Sequence, residues 1–167
     1  ANSALIVTVS PSDFPEEGPL GGIVFQRNLE KAAWNLGKGK IPVQLFGDFR
    51  KKQPSRAWGQ VQPQMKGEYV LADVRSVLPV EIGDSIEEGI IAFGKKIAGF
   101  DREDALLSGI ESRTSSPVRM VRSREGLSNI EGIYPCGEGA GYAGGITSAA
   151  MDGIKTAEFI AAVYREL

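Results

Sequence analysis

The chain contains no histidine and a single cysteine among its 167 residues. Without histidine it lacks the commonest general base and the commonest zinc ligand, so hydrolytic mechanisms built on Ser-His-Asp or Cys-His are excluded within it and no metal site is expected. One cysteine builds no internal disulfide framework. An excess of one charge is also missing: 19 basic residues face 21 acidic ones, a net charge of −2, and this balance indicates neither a nucleic-acid partner nor an anionic membrane. No apolar run is long enough to span a bilayer, and the opening "ANSALIVTVS" lacks the basic flank of a targeting segment, so a cytoplasmic protein is expected. What is there, 42% hydrophobic and 24% charged residues, suffices for a globular core. The chain has no initiator methionine and enters a strand almost at once, which suggests a piece cut from a longer protein.

Along the chain, the β-branched run Ala4 to Val9 reads as a buried strand closed by "SPSDFPEEGP". In "GGIVFQRNLEKAAWNLGKGK", Phe25, Leu29, Ala32, Ala33 and Leu36 fall at helical spacing, with Gly37 as the left-handed cap. Residues 38 to 68 carry a local excess of basic side chains together with prolines and glutamines, and read as a long loop with short extended pieces. Either this is a solvated connection, or it is a mobile arm contacting an anionic ligand or another domain; for an RNA-binding arm the aromatic interleaving is too sparse. "VLADVRSVLPVEIGD" reads as a short helix stopped by Pro79. Ser85 and Glu88 form a capping box ahead of Ile86, Ile90, Phe93 and Ile97, predicting a helix up to Gly99. Strands are expected over Ala105 to Arg113, Val118 to Ser123 and Gly132 to Cys136. The last helix, Ile146 to about Arg165, places Ile146, Ala150, Ile154, Ala157, Ala161 and Tyr164 along one stripe, the pattern of a helix packed on a sheet.

The chemistry concentrates in "YPCGEGAGYAGGITSAAMDG", residues 134 to 153. A strand, a glycine-rich turn and a helix in that order present bare backbone N–H groups and a helix dipole to an anionic or electron-rich ligand. Gly144 and Gly145 stand directly before Ile146 and Thr147, leaving the first helical turn open to a flat or charged group. Gly139, Gly141 and Gly144 satisfy G-x-G-x-x-G formally, but the dinucleotide fingerprint needs a second strand after the helix with an acid at its end, and here Glu158 lies inside the helical pattern. The loop can equally be a tight crossing without a ligand. Glu138 either caps a neighbouring N–H or accepts from sugar or polyol hydroxyls. Cys136 reads as a small buried residue at a strand end. Arg113, Arg119, Arg122 and Arg124 are either surface arginines or, for Arg113, a group facing the glycine loop that stabilises an anionic substrate or a reduced cofactor. Arg113 and Tyr142 are the only catalytic candidates.

Taken together, "GIESRTSSPVRM" and "IEGIYPCGEGAGYAGGITSAAMDGIKTAE" closely resemble the C-terminal signature of bacterial uncharacterised FAD-dependent dehydrogenases, flavoproteins with two dinucleotide-binding domains; "ANSALIVTV", "GGIVFQRNLEKAA" and "SVLP" resemble the stretch before it. The resemblance covers most of the chain and is weakest over residues 38 to 70. It implies a mixed α+β fold: an inserted substrate-type domain, residues 1–104, followed by the returning strand–loop–helix of an incomplete FAD-binding domain, residues 105–167. By the same resemblance Gly137 and Glu138 meet the ribityl or pyrophosphate part of FAD, in place of the usual Gly-Asp, while Gly144, Gly145, Ile146 and Thr147 face the flavin edge. The remaining N-terminal FAD-binding part of the protein would be the partner, and NADH or NADPH the source of hydride. Because no N-terminal glycine fingerprint occurs in these residues, the fragment alone is expected to bind FAD weakly or not at all and to be inactive. A competing expectation is a non-enzymatic domain that uses the loop for a small anion or a partner.

Overall fold

A computed structural model describes residues 2–164. They form two compact units: one from residues up to Asp13 together with Arg27–Ser112, the other from Phe14–Gln26 together with everything described from Arg113 onward. The boundary falls inside the first helix and again just after Ser112.

The first unit is built on a mixed three-stranded sheet, and with the surrounding helices it makes the fold α+β. Helix α1, Gly21–Gly37, buries the periodic positions Phe25 and Ala33. Its left-handed ending lies one residue later than the sequence suggests: Lys38 (φ 51°) and Gly39 (φ 83°) carry the turn, and Gly39 N–H donates to the Trp34 carbonyl at 3.0 Å. Gly37 instead makes room for Pro42, whose Cδ would lie 3.2 Å from a Cβ at that position.

Strand β1, Ile41–Leu45, runs directly into the short helix α2, Phe46–Arg50, and these ten residues hold the core: Val43, Phe46 and Phe49 are fully buried. The expectation of a loop over 38–68 is therefore corrected for its first third. Pro42 and Gln44 hide the strand in the sequence, because one lacks a donor and the other is polar. Burial of Gln44 is offset by complete pairing. Its Oε1 accepts from Arg75 N–H at 2.9 Å, and its Nε2 donates to the Gln53 carbonyl at 2.8 Å and to Asp73 Oδ1 at 3.1 Å.

Strand β2, Tyr69–Leu71, lies parallel to β1 with Ile41 opposite Tyr69, and β3, Leu106–Ser108, lies antiparallel with Leu45 opposite Leu106. The segment expected to be a helix before Pro79 is thus strand β2 and a 3₁₀ turn over Val74–Val77. Helix α3 spans Val80–Gly94, so Pro79 begins a helix instead of ending one. Ser85 is interior to it and donates to the Glu81 carbonyl at 2.7 Å, which is why no capping box forms there. Residues 4 to 9 correct another expectation: they pair with no strand, and Ile6 and Val9 are exposed.

The second unit holds helix α4, Ile146–Val163, below a long irregular segment; the expected end of that helix at Arg165 lies outside the described residues. Neither Val118 to Ser123 nor Gly132 to Cys136 forms a strand, and Ala105 to Arg113 shortens to β3, since Gly109 (φ 57°) turns the chain away. Isolated bonds replace ladders: Met120 N–H donates to the Ala140 carbonyl at 3.1 Å, and Ser123 N–H to that of Leu127 at 2.8 Å.

Candidate functional site

The glycine loop folds back on itself before entering α4. Gly141 N–H donates to the Glu138 carbonyl at 2.9 Å and Tyr142 N–H to that of Gly137 at 3.1 Å. Gly137 (φ 70°) and Gly141 (φ 80°) occupy the left-handed region, where other residues are strained. At Gly141 space is lacking as well, because a Cβ would stand 2.5 Å from the Val118 carbonyl oxygen. Gly139 and Gly144 differ. Neither has a positive φ, and no heavy atom lies within 4 Å of where their Cβ would be.

Helix α4 opens with Gly145 as N-cap in extended backbone, without a side-chain cap for the N–H groups of the first turn. Ser148 Oγ accepts from Gly145 N–H at 3.2 Å and returns a bond to its carbonyl at 3.0 Å. Ile146 is 93% exposed, and Thr147 and Glu138 are exposed as well. Glu138, Gly144, Gly145, Ile146 and Thr147 are thus exposed, whereas Gly137 is half-buried.

From the inner side the loop is held by residues the sequence did not single out. Asp152, on the second turn of α4, receives Arg122 Nη2–H at its Oδ1 (2.6 Å), and Arg122 Nη1–H at its Oδ2 (3.0 Å), while Gly137 N–H reaches the same Oδ2 at 2.8 Å. Arg122 Nη1 also donates to the Pro135 carbonyl at 2.8 Å. The Arg122 hydrogen bonds first, and that of Gly137 second, hold the Asp152 carboxyl down at about 2; the same pairing raises Arg122 further. The Tyr142 ring is covered by two guanidinium groups, Arg122 at 3.7 Å and Arg119 at 4.4 Å from its centroid. The arginine that enters the loop is therefore Arg122, while Arg113 is exposed. Cys136, expected to be buried, is exposed, because Pro135 before it takes the interior place. The one sequence signal for Asp152 is its position in "AAMDG", an acid interrupting an otherwise small and apolar helix start.

A family model described as "FAD-dependent protein, C-terminal domain-like" matches residues 1–114. The chain belongs to this family. An uncharacterised protein of Clostridium beijerinckii is 54% identical over 164 residues, which covers 96% of this chain and 31% of that protein. The chain thus spans about a third of the length of the curated relative it matches. The family match covers the sheet unit, whereas the glycine loop and α4 lie beyond it. Among the described residues no helix is long and apolar enough to cross a membrane, and no three acidic or cysteine side chains converge as metal ligands.

Ile146, Ala150, Ile154, Ala157, Ala161 and Tyr164, the stripe expected to pack on a sheet, are all exposed. The helix instead turns Asp152, Thr156 and Phe159 inward, Thr156 Oγ1 donating to the Asp152 carbonyl at 2.9 Å and Phe159 packing on Gly126.

Proposed function

We propose that this chain is the C-terminal part of an FAD-dependent oxidoreductase and contributes the wall of the flavin site formed by the glycine loop and the start of α4. The observation that carries the reading is the pair of glycines at 139 and 144, bare without any need inside the chain. Side chains are absent where a ligand would have to approach the backbone, and Gly153 on α4 is equally unobstructed. The residues fit FAD on this count. Bound there, FAD would supply the hydride chemistry, with NADH or NADPH as reductant.

In this reading the uncapped N–H groups at Ile146 and Thr147, next to Gly145, stabilise negative charge, which a flavin gains near N1 and C2=O on reduction. Glu138, whose carboxylate bonds to no described residue, is placed to accept from the hydroxyls of the ribityl chain or ribose. The exposed apolar stripe of α4 docks on a sheet of the remaining FAD-binding part, the partner this reading requires. Residues 1–104 then belong to an inserted substrate-type domain and 105–167 to the return into the FAD-binding domain. Arg113 and Tyr142 remain the catalytic candidates, and of these Tyr142 already has its ring committed to two arginines.

The test is to express the native full-length protein and record its visible spectrum before and after NADH or NADPH. A flavin spectrum that bleaches with either reductant is the expected result. A colourless protein would overturn the reading in favour of a non-enzymatic binding domain, as would stoichiometric phosphate binding with no flavin.

A further inference from the structure

The flavin reading leaves the inner side of the loop without a role, and that side is where its polar bonds concentrate. Three stretches distant in sequence meet at one carboxylate: Arg122 from the segment before the loop, the backbone at Gly137, and Asp152 from α4. The pair is largely covered, with Arg122 13% and Asp152 14% exposed. Oδ2 of Asp152 accepts two bonds, and Nη1 of Arg122 spends its two hydrogens on Pro135 and Asp152, so neither atom is left for a ligand.

We propose that Arg122 and Asp152 are positioning residues that fix the glycine loop against the start of α4 and thereby set the affinity of the site for FAD. The proposal rests on the flavin reading above. Its geometric basis is that Asp152 belongs to the helix whose N-terminus faces the ligand side, while Gly137 belongs to the loop that must stand beside that terminus. One carboxylate bonded to both removes the freedom of the loop to slide along the helix. A forked guanidinium is needed because it must span Asp152 and the Pro135 carbonyl together while its central carbon stands over the Tyr142 ring, which a lysine ammonium does not do. Binding is then favoured because the ordering entropy is spent in folding and not on contact with the ligand.

The experiment compares full-length wild type with Arg122→Lys, Asp152→Asn and the double variant Arg122→Met/Asp152→Leu. FAD is titrated into each apoprotein, Kd is read from flavin fluorescence, and Tm is measured on the same samples. Arg122→Lys and Asp152→Asn are expected to raise Kd by about tenfold or more. Apolar replacement of both members of a covered ion pair commonly preserves stability. Here it also strands Gly137 N–H and the Pro135 carbonyl, so the double variant should regain only part of the Tm lost in the single variants, while its Kd stays about tenfold weaker. If affinity returns together with Tm in the double variant, or is unaltered in Arg122→Lys, the pair serves only the fold and the proposal fails. Wild type that binds no FAD overturns the flavin reading itself, a result distinct from wild type that binds and variants that bind equally.

Discussion

The guanidinium of Arg75 lies 4.7 Å from the centroid of the Phe49 ring and donates to the Phe49 carbonyl at 3.2 Å. It also donates to Glu87 at 2.7 Å and to Asp84, so a single side chain ties α2 to α3. Only 8% of it is exposed. Its removal strands the Phe49 carbonyl, while Glu87 keeps Arg50 at 3.8 Å and Asp84 keeps Lys52 at 3.6 Å, and Arg75→Ala is expected to cost about 2 kcal/mol in urea unfolding. Arg75→Lys should recover less than half of that, because an ammonium cannot serve three acceptors across a plane. A loss no larger than that of a surface substitution would show that α2 and α3 do not depend on this tie.

Gln44 provides a second test of the same unit. Gln44→Leu keeps the volume in the middle of β1 but strands Arg75 N–H and the Gln53 carbonyl and leaves Asp73 Oδ1 with Ser76 N–H alone. A decrease of about 2–3 kcal/mol is expected. Gain of stability in the same unfolding measurement would mean that apolar burial outweighs the three hydrogen bonds.

The glycines of the loop should separate into two kinds. Gly141→Ala meets both a left-handed backbone and the Val118 carbonyl, and should destabilise the second unit by about 2 kcal/mol or more. Gly139→Ala has neither obstacle, so thermal melting should be unaltered within about 0.5 kcal/mol. In the full-length protein the same Gly139→Ala should weaken FAD binding, which a purely structural glycine would not do.

Acid should loosen the loop in a defined window. The Asp152 carboxyl sits at about 2 in the folded chain, held there by Arg122 and Gly137, against about 3.9 when unfolded. A lowered acid contributes its stability fully above the unfolded value and loses it as pH falls towards the folded one. Between about pH 5 and pH 2 the wild type should therefore lose about 1–2 kcal/mol that Asp152→Asn does not. Asp48, lowered by Ser55 and Gln53, and Asp104, lowered by Arg102, belong to the first unit and are common to both proteins. The difference between the two Tm-against-pH curves isolates Asp152, and parallel curves would refute the assignment.

Legibility in the sequence followed the range of the interactions involved. Helices α1 and α4 were readable because their signal is the spacing of apolar residues within one element. Strand β1 was not, since Pro42 and Gln44 break the apolar pattern and become tolerable only once Gly37, Arg75, Gln53 and Asp73 surround them. Pro79 illustrates the ambiguity of a local rule: it can stop one helix or begin another, and the pairing of β2 with β1 upstream decided for the latter. At the candidate site the glycines and the helix start were visible as a run of bare residues. Their inner support was not, because Arg122 and Asp152 stand thirty residues apart and neither belongs to a recognisable spacing.

By itself the sequence determined a chain without histidine chemistry, its two long helices, and a glycine-rich approach to α4, all properties of composition and of spacing within a few residues. The tertiary structure decided which of those glycines the backbone needs and which stand bare, and it turned the apolar stripe of α4 outward while Asp152 took the inner face. The physical reason is that local periodicity shows only that a face is apolar. What covers that face, and which distant side chain satisfies a buried polar group, depends on contacts between segments that no local pattern specifies.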